Sequence, residues 1–479
     1  MYSAYLGRHA QRRLKGTLIV DNPFTGGVAC KVALPSDEGC VSAVQDSHRA
    51  FKSWRTVPLQ DRMALVDRFI DRLSANTDSI ASDVSRMMGK PYHHAQGEVK
   101  NAVARAKYLL SVAQTSLADQ VIAQSKTGVR TIRKEPVGVV AVLSPWNYPL
   151  LCTVNVLVPA ILAGNAVLVK HSERSPLVAE HFATAFKQAG APDFLVQPLH
   201  ATQEQLHAKV LTDPLVGYVA FTGSVQGGRA VYETVASRHP FFCDVGLELG
   251  GNDAAYVACD ANVKEAAAGI AEGGFFNAGQ SCCAVERVFA HASVYDELLR
   301  ELQLHAEAQV LGDPLEASTT MGPLAQPHHA EHVQAHVDDA VKKGARVLCG
   351  GHARGRFFEP TVLADATPEM RVMREETFGP LLPVMRVSCY ADALELINDC
   401  TLGLTASIWT EDAKKADNFA RDVSVGTVFQ NGCDNPHPSL PWSGRRESGK
   451  GLSLSHLVFD SVTAPKSLNL RRSLMSTPE

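Results

Sequence analysis

One long stretch of the chain carries no charged side chain and no histidine, and it limits the folds open to the whole protein. The stretch runs from Val137 to Val169 and is long enough to cross a lipid bilayer. It is interrupted, however, by Pro145, Pro149 and Pro159. These interruptions favour a strand, a loop, a helix and a second strand in an α/β core, where parallel strands are apolar along their whole length. We therefore predict no transmembrane helix here.

Strand-like and helix-like segments alternate around this stretch. In the first half the pattern predicts apolar strands at 139–143, 166–170 and 218–221, and helices at 156–162, 176–188 and 228–237. The second half repeats the alternation as far as residue 430. Regular alternation of this kind predicts doubly wound parallel sheets in an α/β fold.

Composition narrows the class of protein further. The chain has 479 residues, enough for about three domain-sized units. Its net charge of −4 gives no reason to expect nucleic acid or an anionic membrane as a partner. The 11 cysteines include no C-x-x-C pair and their number is odd. We therefore expect free thiols in a reducing compartment and no disulfide framework.

The N-terminal segment is basic. Arg8, Arg12, Arg13 and Lys15 precede any acidic residue, as in a transit peptide. The segment lacks serine richness and a clear cleavage signal. We therefore predict an N-terminal arm on a cytoplasmic protein, with the mitochondrial matrix as the weaker alternative.

A polar loop after an alanine-rich helix carries a candidate nucleophile. The loop holds Cys282 and Cys283 and lies between a predicted helix at 261–273 and a predicted strand at 287–290. Cysteine is nucleophilic only as the thiolate, which a partly open polar loop allows. The alternative is a pair of small buried side chains, which is the usual fate of free cysteine.

Three further candidate sites lie at the ends of predicted strands. The segment from Phe221 to Gly228 is a glycine turn between strand and helix, where backbone N–H groups can approach a phosphate. Lys170 and Glu173 follow an earlier strand, where a carboxylate can bind ribose hydroxyls. Glu248 ends a strand and suits a general base if burial raises its pKa. A tight turn, a solvated charge pair and a surface glutamate are the respective alternatives.

Two other motifs are set aside. The segment 444–451 has the spacing of a phosphate loop up to its lysine, but Gly451 stands where serine or threonine belongs. His328 to His332 matches H-x-x-E-H, yet the helix is polar and a further ligand is missing. We expect an exposed helix there, and no metal site.

Several motifs together resemble the NAD(P)-dependent aldehyde dehydrogenase superfamily, in the family's order and over nearly the whole chain. The matching segments include Pro145–Pro149, Leu247–Asn252, Phe276–Cys282 and Glu375–Pro380. The spacing between Glu248 and Cys282 also agrees with the family. The resemblance implies oxidation of a small-molecule aldehyde to a carboxylic acid through a cysteine thiohemiacetal and a thioester.

The resemblance also implies roles for individual residues. Cys282 would be the nucleophile, Asn147 would hold the oxyanion, and Glu248 would activate water. The implied cofactor contacts are Lys170 and Glu173 at the adenosine ribose, Gly223, Ser224 and Trp146 at the pyrophosphate, Glu376 at the nicotinamide ribose and Phe378 beside the ring. Because Glu173 would repel a 2′-phosphate, we expect NAD, with NADP as the alternative.

The family's architecture implies two Rossmann-like domains and a small oligomerisation β-sheet. Residues 1–114 and 137–248 would form the NAD(P)-binding domain, and residues 249–448 the catalytic domain. Residues 115–136 and 449–479 would supply the oligomerisation segments of a homodimer or homotetramer.

The segments 441–444 and 449–453 depart from the family's C-terminal motif. This departure concerns substrate preference and subfamily, not the chemistry. Tyr148 and Trp442 are expected to be aromatic walls of the substrate tunnel, and Asn155 would widen it. The segment 146–156 contains no arginine, so we predict a neutral, medium-sized aliphatic or aromatic aldehyde. The alternatives are a semialdehyde dehydrogenase of the succinate-semialdehyde type, a CoA-acylating enzyme and a non-catalytic family member. Glu248 argues against the last two.

Overall fold

The computed structural model describes residues 13–14, 16–126, 128–238 and 240–471. Most of the predicted N-terminal arm, including Arg8, Arg12 and Lys15, lies outside the described residues. All 11 cysteines lie within them, and all are free thiols, as the sequence predicts.

The elements are numbered in chain order. The strands are β1 Arg13–Leu14, β2 Thr17–Asp21, β3 Val28–Ala33, β4 Gln120–Ser125, β5 Gly128–Pro136, β6 Val139–Ser144, β7 Ala166–His171, β8 Val196–Pro198, β9 Val216–Thr222, β10 Asp244–Glu248, β11 Asp253–Val257, β12 Val285–His291, β13 Arg346–Cys349, β14 Ala353–Arg354, β15 Phe357–Phe358, β16 Thr361–Ala364, β17 Leu381–Val387, β18 Leu402–Gly403, β19 Thr405–Trp409, β20 Thr427–Gln430, β21 Arg445–Arg446, β22 Gly449–Lys450 and β23 Thr463–Arg471. The helices are α1 Asp37–Trp54, α2 Leu59–Ala75, α3 Thr77–Met88, α4 Tyr92–Ser116, α5 Pro149–Ala163, α6 Leu177–Gln188, α7 Gln203–Gln205, α8 Val225–Ala236, α9 Val263–Phe275, α10 Tyr295–Glu307, α11 His329–Lys342, α12 Tyr390–Asn398, α13 Ala413–Asp422 and α14 Val458–Ser461. A π-helical segment, Leu206–Leu211, continues α7.

The uncharged stretch forms strand, helix and strand as predicted. Every residue of β6 and β7 is buried, and α5 between them is buried along most of its length. Tight packing on both faces of the sheet explains why the sequence is apolar throughout instead of alternating. Among the described residues, no helix is long and apolar enough to cross a membrane.

The first large sheet has the strand order β22-β10-β9-β6-β7-β8. Its strands are parallel except β22, which pairs antiparallel with β10 at one edge. From β6 the chain proceeds to β7 and β8 on one side and then returns to β9 on the other side of β6. The loops after β6 and β9 therefore flank a crevice at the carboxyl ends of the strands, where doubly wound sheets bind ligands.

The second large sheet has the order β13-β16-β17-β12-β11-β19-β20. All of its strand pairs are parallel except the pair of β13 with β16. Both predicted doubly wound sheets are thus confirmed. Within these two sheets, the strands not predicted from the sequence are β8, β11, β16 and β22. The segment Asp253–Val257 begins with an aspartate and two alanines, and its place at the centre of the sheet outweighs this weak strand propensity.

A third sheet is small and antiparallel, with the order β23-β5-β4. Strands β5 and β23 have nine residues each and pair along their full length. Strand β4 is exposed along its whole length and leaves one edge of this sheet open. The predicted division of the chain into domains stays a prediction; Gly449–Lys450, predicted within an oligomerisation segment, forms β22 of the first sheet.

Candidate active site

The loop 276–283, called here the thiol loop, begins with an unusual backbone turn. Asn277, Ala278 and Gly279 follow one another in the left-handed region, with φ of 53°, 57° and 69°. Non-glycine residues keep this conformation only where their surroundings hold it. Here the side-chain amide of Gln280 donates to the Asn277 carbonyl at 2.9 Å. The turn directs the chain from the end of α9 towards a half-buried Cys282.

The two adjacent cysteines have different surroundings. Cys283 is buried, and its thiol donates to Oδ1 of Asp434 at 2.8 Å. Its hydrogen bond with Cys282 and its burial raise the pKa of the Cys283 thiol well above its usual value. A thiol held in its protonated form is a poor nucleophile. Cys282, which is more exposed, is therefore the better candidate.

Glu248 occupies the carboxyl end of β10 and is half-buried. Its Oε1 is enclosed and has no hydrogen-bond partner among the described residues. Burial raises the pKa of this carboxyl to about 7, against the opposing effects of the Ser453 hydroxyl and the Arg105 guanidinium. A carboxylate with a free oxygen and a near-neutral pKa can take a proton from water.

Asn147 is buried in the loop between β6 and α5. Its backbone carbonyl accepts hydrogen bonds from Lys90 Nζ at 2.7 Å and from the side-chain amide of Asn277 at 3.5 Å. Glu98 forms a buried ion pair with Lys90 and accepts the backbone N–H of Leu150 at 2.8 Å. These contacts attach the Asn147 turn to the thiol loop. Asn147 itself is not among the residues that line the cavity described next.

A cavity of about 590 Å³ brings most of the predicted catalytic and tunnel residues together. Cys282, Glu248, Tyr148 and Trp442 all line it. Trp442 is buried and packs in a small cluster with Cys283. The further lining residues are Asn101, Arg105, Leu151, Cys152, Asn155, Thr222, Glu265, Gly269, Glu272, Gly273, Phe276, Ser281, Cys283, Trp409, Asn431, Gly432, Cys433, Asp434, Asn435 and Pro436.

Arg105 is the basic residue among the lining residues that were not predicted from the sequence. It lies on α4, is 9% exposed, and donates from Nη1 to Oδ1 of Asn155 at 3.2 Å. The prediction of a neutral aldehyde rested on the absence of arginine from 146–156. A guanidinium from another helix reaches Asn155 of that segment, so this premise does not hold for the cavity. The sequence signal for Arg105 is its spacing on α4. It lies three positions after Ala102 and four before Leu109, so it shares the buried face of the helix with them.

The predicted phosphate and ribose residues lie at the carboxyl ends of strands in the first sheet. Trp146 follows β6, Lys170 is the second-to-last residue of β7, and Gly223 follows β9. Ser224 caps the N-terminus of α8 by accepting the backbone N–H of Gly227 at 3.1 Å. A Cβ at position 223 or 227 would come within 2.7 or 2.8 Å of the Phe221 ring. The crevice therefore presents bare backbone at the start of a helix, as an anion site requires.

The second part of the predicted cofactor site is the turn that carries Glu376 and Phe378. Glu376 accepts the backbone N–H of Gly251 at 3.1 Å, and burial raises the pKa of this carboxyl. The Phe378 ring meets the Trp146 ring edge to face, with centroids 5.6 Å apart. A Cβ on Gly250 would collide with the Glu376 carboxylate. This turn therefore closes onto the end of the first sheet.

Glu286 holds the same turn by hydrogen bonds, and this role was not predicted from the sequence. This buried carboxylate on β12 accepts the backbone N–H groups of Thr377 at 2.8 Å and Phe378 at 2.7 Å. Burial and the neighbouring Glu376 raise its pKa. No local motif marks this role, because the partners are about ninety positions apart.

The histidines of α11 also contact this turn, which corrects the expectation of an exposed helix. Nε2 of His329 donates to the Phe378 carbonyl at 2.9 Å, and His336 bonds the Thr377 hydroxyl at 2.9 Å. His336 is fully buried. The helix packs against the turn through these rings. Within the described part of the chain, no cluster of His, Cys, Asp or Glu could hold a metal ion.

The segment 444–451, which has the spacing of a phosphate loop, does not fold as one. It forms the short strands β21 and β22, and Lys450 pairs with Leu247 at the edge of the first sheet. In the described chain after this segment, no long helix follows, as a phosphate loop would require.

A doubly wound sheet with a crevice at the carboxyl ends of its strands, together with a cavity holding a thiol and a carboxyl whose Oε1 has no partner among the described residues, is the arrangement of a thiol-dependent dehydrogenase. The chain belongs to the aldehyde dehydrogenase family, whose sequence model matches residues 11–468. The fold is accordingly the aldehyde dehydrogenase fold that the sequence predicts.

Individual relatives cover most of the chain. It is 33% identical to "Aldehyde dehydrogenase, mitochondrial" of Leishmania tarentolae, over 95% of this chain and 91% of the relative. It is 32% identical to "Succinate-semialdehyde dehydrogenase [NADP(+)] 1" of Mycobacterium tuberculosis, over 91% and 95% of the two chains. The crystal structure of an NAD-dependent aldehyde dehydrogenase from Sinorhizobium meliloti superposes with a TM-score of 0.91 at 30% identity, over 97% and 92%.

Proposed function

We propose that the protein oxidises an aldehyde to a carboxylic acid, with NAD(P)+ as hydride acceptor. The observation that carries this proposal is the shared cavity of Cys282 and Glu248. A half-buried thiol beside a carboxylate whose pKa lies near 7 supplies both the nucleophile and the base that such a reaction needs.

The first step is addition of the Cys282 thiolate to the aldehyde carbon. The oxyanion that forms is held by the side-chain amide of Asn147 and the backbone N–H of Cys282. Each donor of this kind contributes about 3 kcal/mol in an acyl-transfer site. The Lys90 and Asn277 bonds to the Asn147 carbonyl support this role, since they fix the backbone of Asn147 and Asn277 belongs to the thiol loop.

The described residues fit a dinucleotide, because the crevice after β6 and β9 exposes backbone where a side chain would collide with Phe221. The residues that would hold it are Lys170, Glu173, Trp146, Gly223, Ser224, Glu376 and Phe378. Bound there, the nicotinamide supplies the acceptor for the hydride lost by the substrate carbon. Glu248 then takes a proton from the water that hydrolyses the Cys282 thioester.

We propose that the protein prefers NAD to NADP. Glu173 follows β7, where its carboxylate would face the adenosine ribose and repel a 2′-phosphate. One relative is named for NADP and one structural neighbour for NAD, so relatives of both kinds exist. A KM for NAD below that for NADP supports the proposal, and the reverse order contradicts it.

The experiment is formation of reduced nicotinamide by the purified protein with a panel of short, long, aromatic and carboxylate-bearing aldehydes. We expect activity that is lost in Cys282→Ala and kept in Cys259→Ala, because Cys259 is an exposed thiol that does not line the cavity. Full activity of Cys282→Ala, or activity only after coenzyme A is added, would contradict the proposal.

A further inference from the structure

We propose that Arg105 forms an anion subsite in the cavity, and that the substrate is an aldehyde carrying a carboxylate or a similar anionic group away from its reacting carbon. This inference rests on the proposed oxidation and names its substrate class.

The Arg105 guanidinium is buried, and it has no ion-pair partner at contact distance among the described residues. Arg105 is 9% exposed, and its single hydrogen bond within the described chain goes to the neutral oxygen of Asn155. No carboxylate of the described residues forms an ion pair with it. Burying a cation in this way is unfavourable unless an anion joins it. A guanidinium has five N–H donors, so most of its donors are available to a ligand.

Arg105 is also the one cation among the described residues that line the cavity. The lining carboxylates have other assignments. Glu248 is the proposed base, and Asp434 accepts hydrogen bonds from Ser281 and Cys283. Glu265 and Glu272 are exposed, so solvent and salt screen their repulsion of an incoming anion.

The neighbouring amide extends the subsite. Asn155 is 4% exposed and lines the cavity. Its oxygen accepts from Arg105, which leaves the amide nitrogen as a donor. A planar guanidinium binds a carboxylate through two parallel hydrogen bonds, which lysine cannot reproduce. Since Arg105 and Cys282 line the same cavity, one molecule can present its anion to the first and its aldehyde to the second.

Arg105 could instead act only on Glu248, because its charge opposes the rise in that carboxyl's pKa. In that case its removal would slow charged and neutral substrates alike. The quantity to measure is therefore the ratio of kcat/KM for two substrates of similar size. Succinic semialdehyde and its methyl ester form such a pair, since they differ at one end by the charge and one methyl group.

The test compares kcat/KM for these two aldehydes in the wild type and in Arg105→Gln. We expect the wild type to prefer the acid, and Arg105→Gln to lower the acid-to-ester ratio at least about tenfold, mainly through KM for the acid. Lys107→Gln is the matched control, because Lys107 is exposed on the same helix and should leave the ratio unchanged. Should Arg105→Gln fail to fold, Arg105→Lys tests the same ratio with the charge kept and the planar fork lost.

A wild type that prefers the ester, or a ratio that Arg105→Gln and Arg105→Lys leave unchanged, would overturn the subsite. Calorimetric binding of succinic semialdehyde to Cys282→Ala, with and without Arg105→Gln, separates the two proposals. Binding weakened by Arg105→Gln, with no oxidation by the wild type, would retain the subsite and reject the proposed function. Equal binding with and without Arg105→Gln, together with oxidation of other aldehydes by the wild type, would reject the subsite and retain the proposed function.

Discussion

At the scale of single residues, the protonation state of Glu248 decides whether it can act as the proposed base. Its enclosed Oε1 lacks a partner among the described residues, and burial raises its pKa to about 7. Buried carboxyl groups favour the protonated form, so the base is fully available only above this pH.

The pH dependence of turnover follows from this state. A base must be deprotonated to accept a proton, so kcat should rise about tenfold per pH unit below pH 7 and level off above it. An unperturbed glutamate would place this rise near its usual value of about 4.3. The measurement is kcat against pH under saturating substrate and cofactor. A kcat that stays flat between about pH 5 and pH 8 would contradict the role of Glu248 as base.

At the scale of elements, the buried ion pair of Lys90 and Glu98 joins α4, and the segment just before it, to residues 147–150 at the start of α5. Lys90 and Glu98 have side chains that are 0% and 2% exposed, and both bond the backbone of 147–150. Removing one partner leaves the other charge buried and alone, whereas replacing both with apolar groups is often tolerated.

Lys90→Met should therefore lower the free energy of unfolding by roughly 3–5 kcal/mol, and Lys90→Met with Glu98→Leu by much less than the two single changes together. Urea unfolding of the four proteins measures this coupling. Arg49→Met is the control, because its partner Asp46 is part of an exposed pair, and such pairs contribute little. Additive effects of Lys90→Met and Glu98→Leu would show that the pair does not act as a unit.

Local pattern predicts much of the fold but few of the contacts between elements. The uncharged stretch and the glycine turn at 223 were identified because their strand and turn signals are contiguous in sequence. Arg105, Glu286 and His336 were not assigned their places, since their partners come from distant strands and loops. Strand β11 was not predicted for a related reason. Its burial at the centre of a sheet outweighs the weak strand propensity of its residues.

At the scale of the whole molecule, the third sheet presents apolar side chains to solvent. Val121, Ile122 and Leu470 are 58%, 62% and 57% exposed on β4 and β23. Strand β4 also leaves an unpaired backbone edge. An apolar surface with an open edge is an association site. These features support the proposal that this sheet joins subunits in a homodimer or homotetramer.

Sedimentation velocity should therefore show a dimer or tetramer, and Ile122→Lys should shift it towards smaller species at equal concentration. Leu304→Lys is the matched control, because Leu304 is 60% exposed on α10, outside the third sheet. A monomeric wild type, or the same shift in both variants, would contradict an interface at this sheet.

Catalysis through Cys282 is tested by the mass of the protein after reaction with an aldehyde and NAD(P)+. Glu248→Gln should slow hydrolysis of the thioester and let it accumulate. We predict a mass increase equal to one acyl group, on the peptide that carries Cys282, and no increase when Cys282→Ala is added. An acyl group on Cys283 or elsewhere, or none while reduced nicotinamide forms, would contradict catalysis through Cys282.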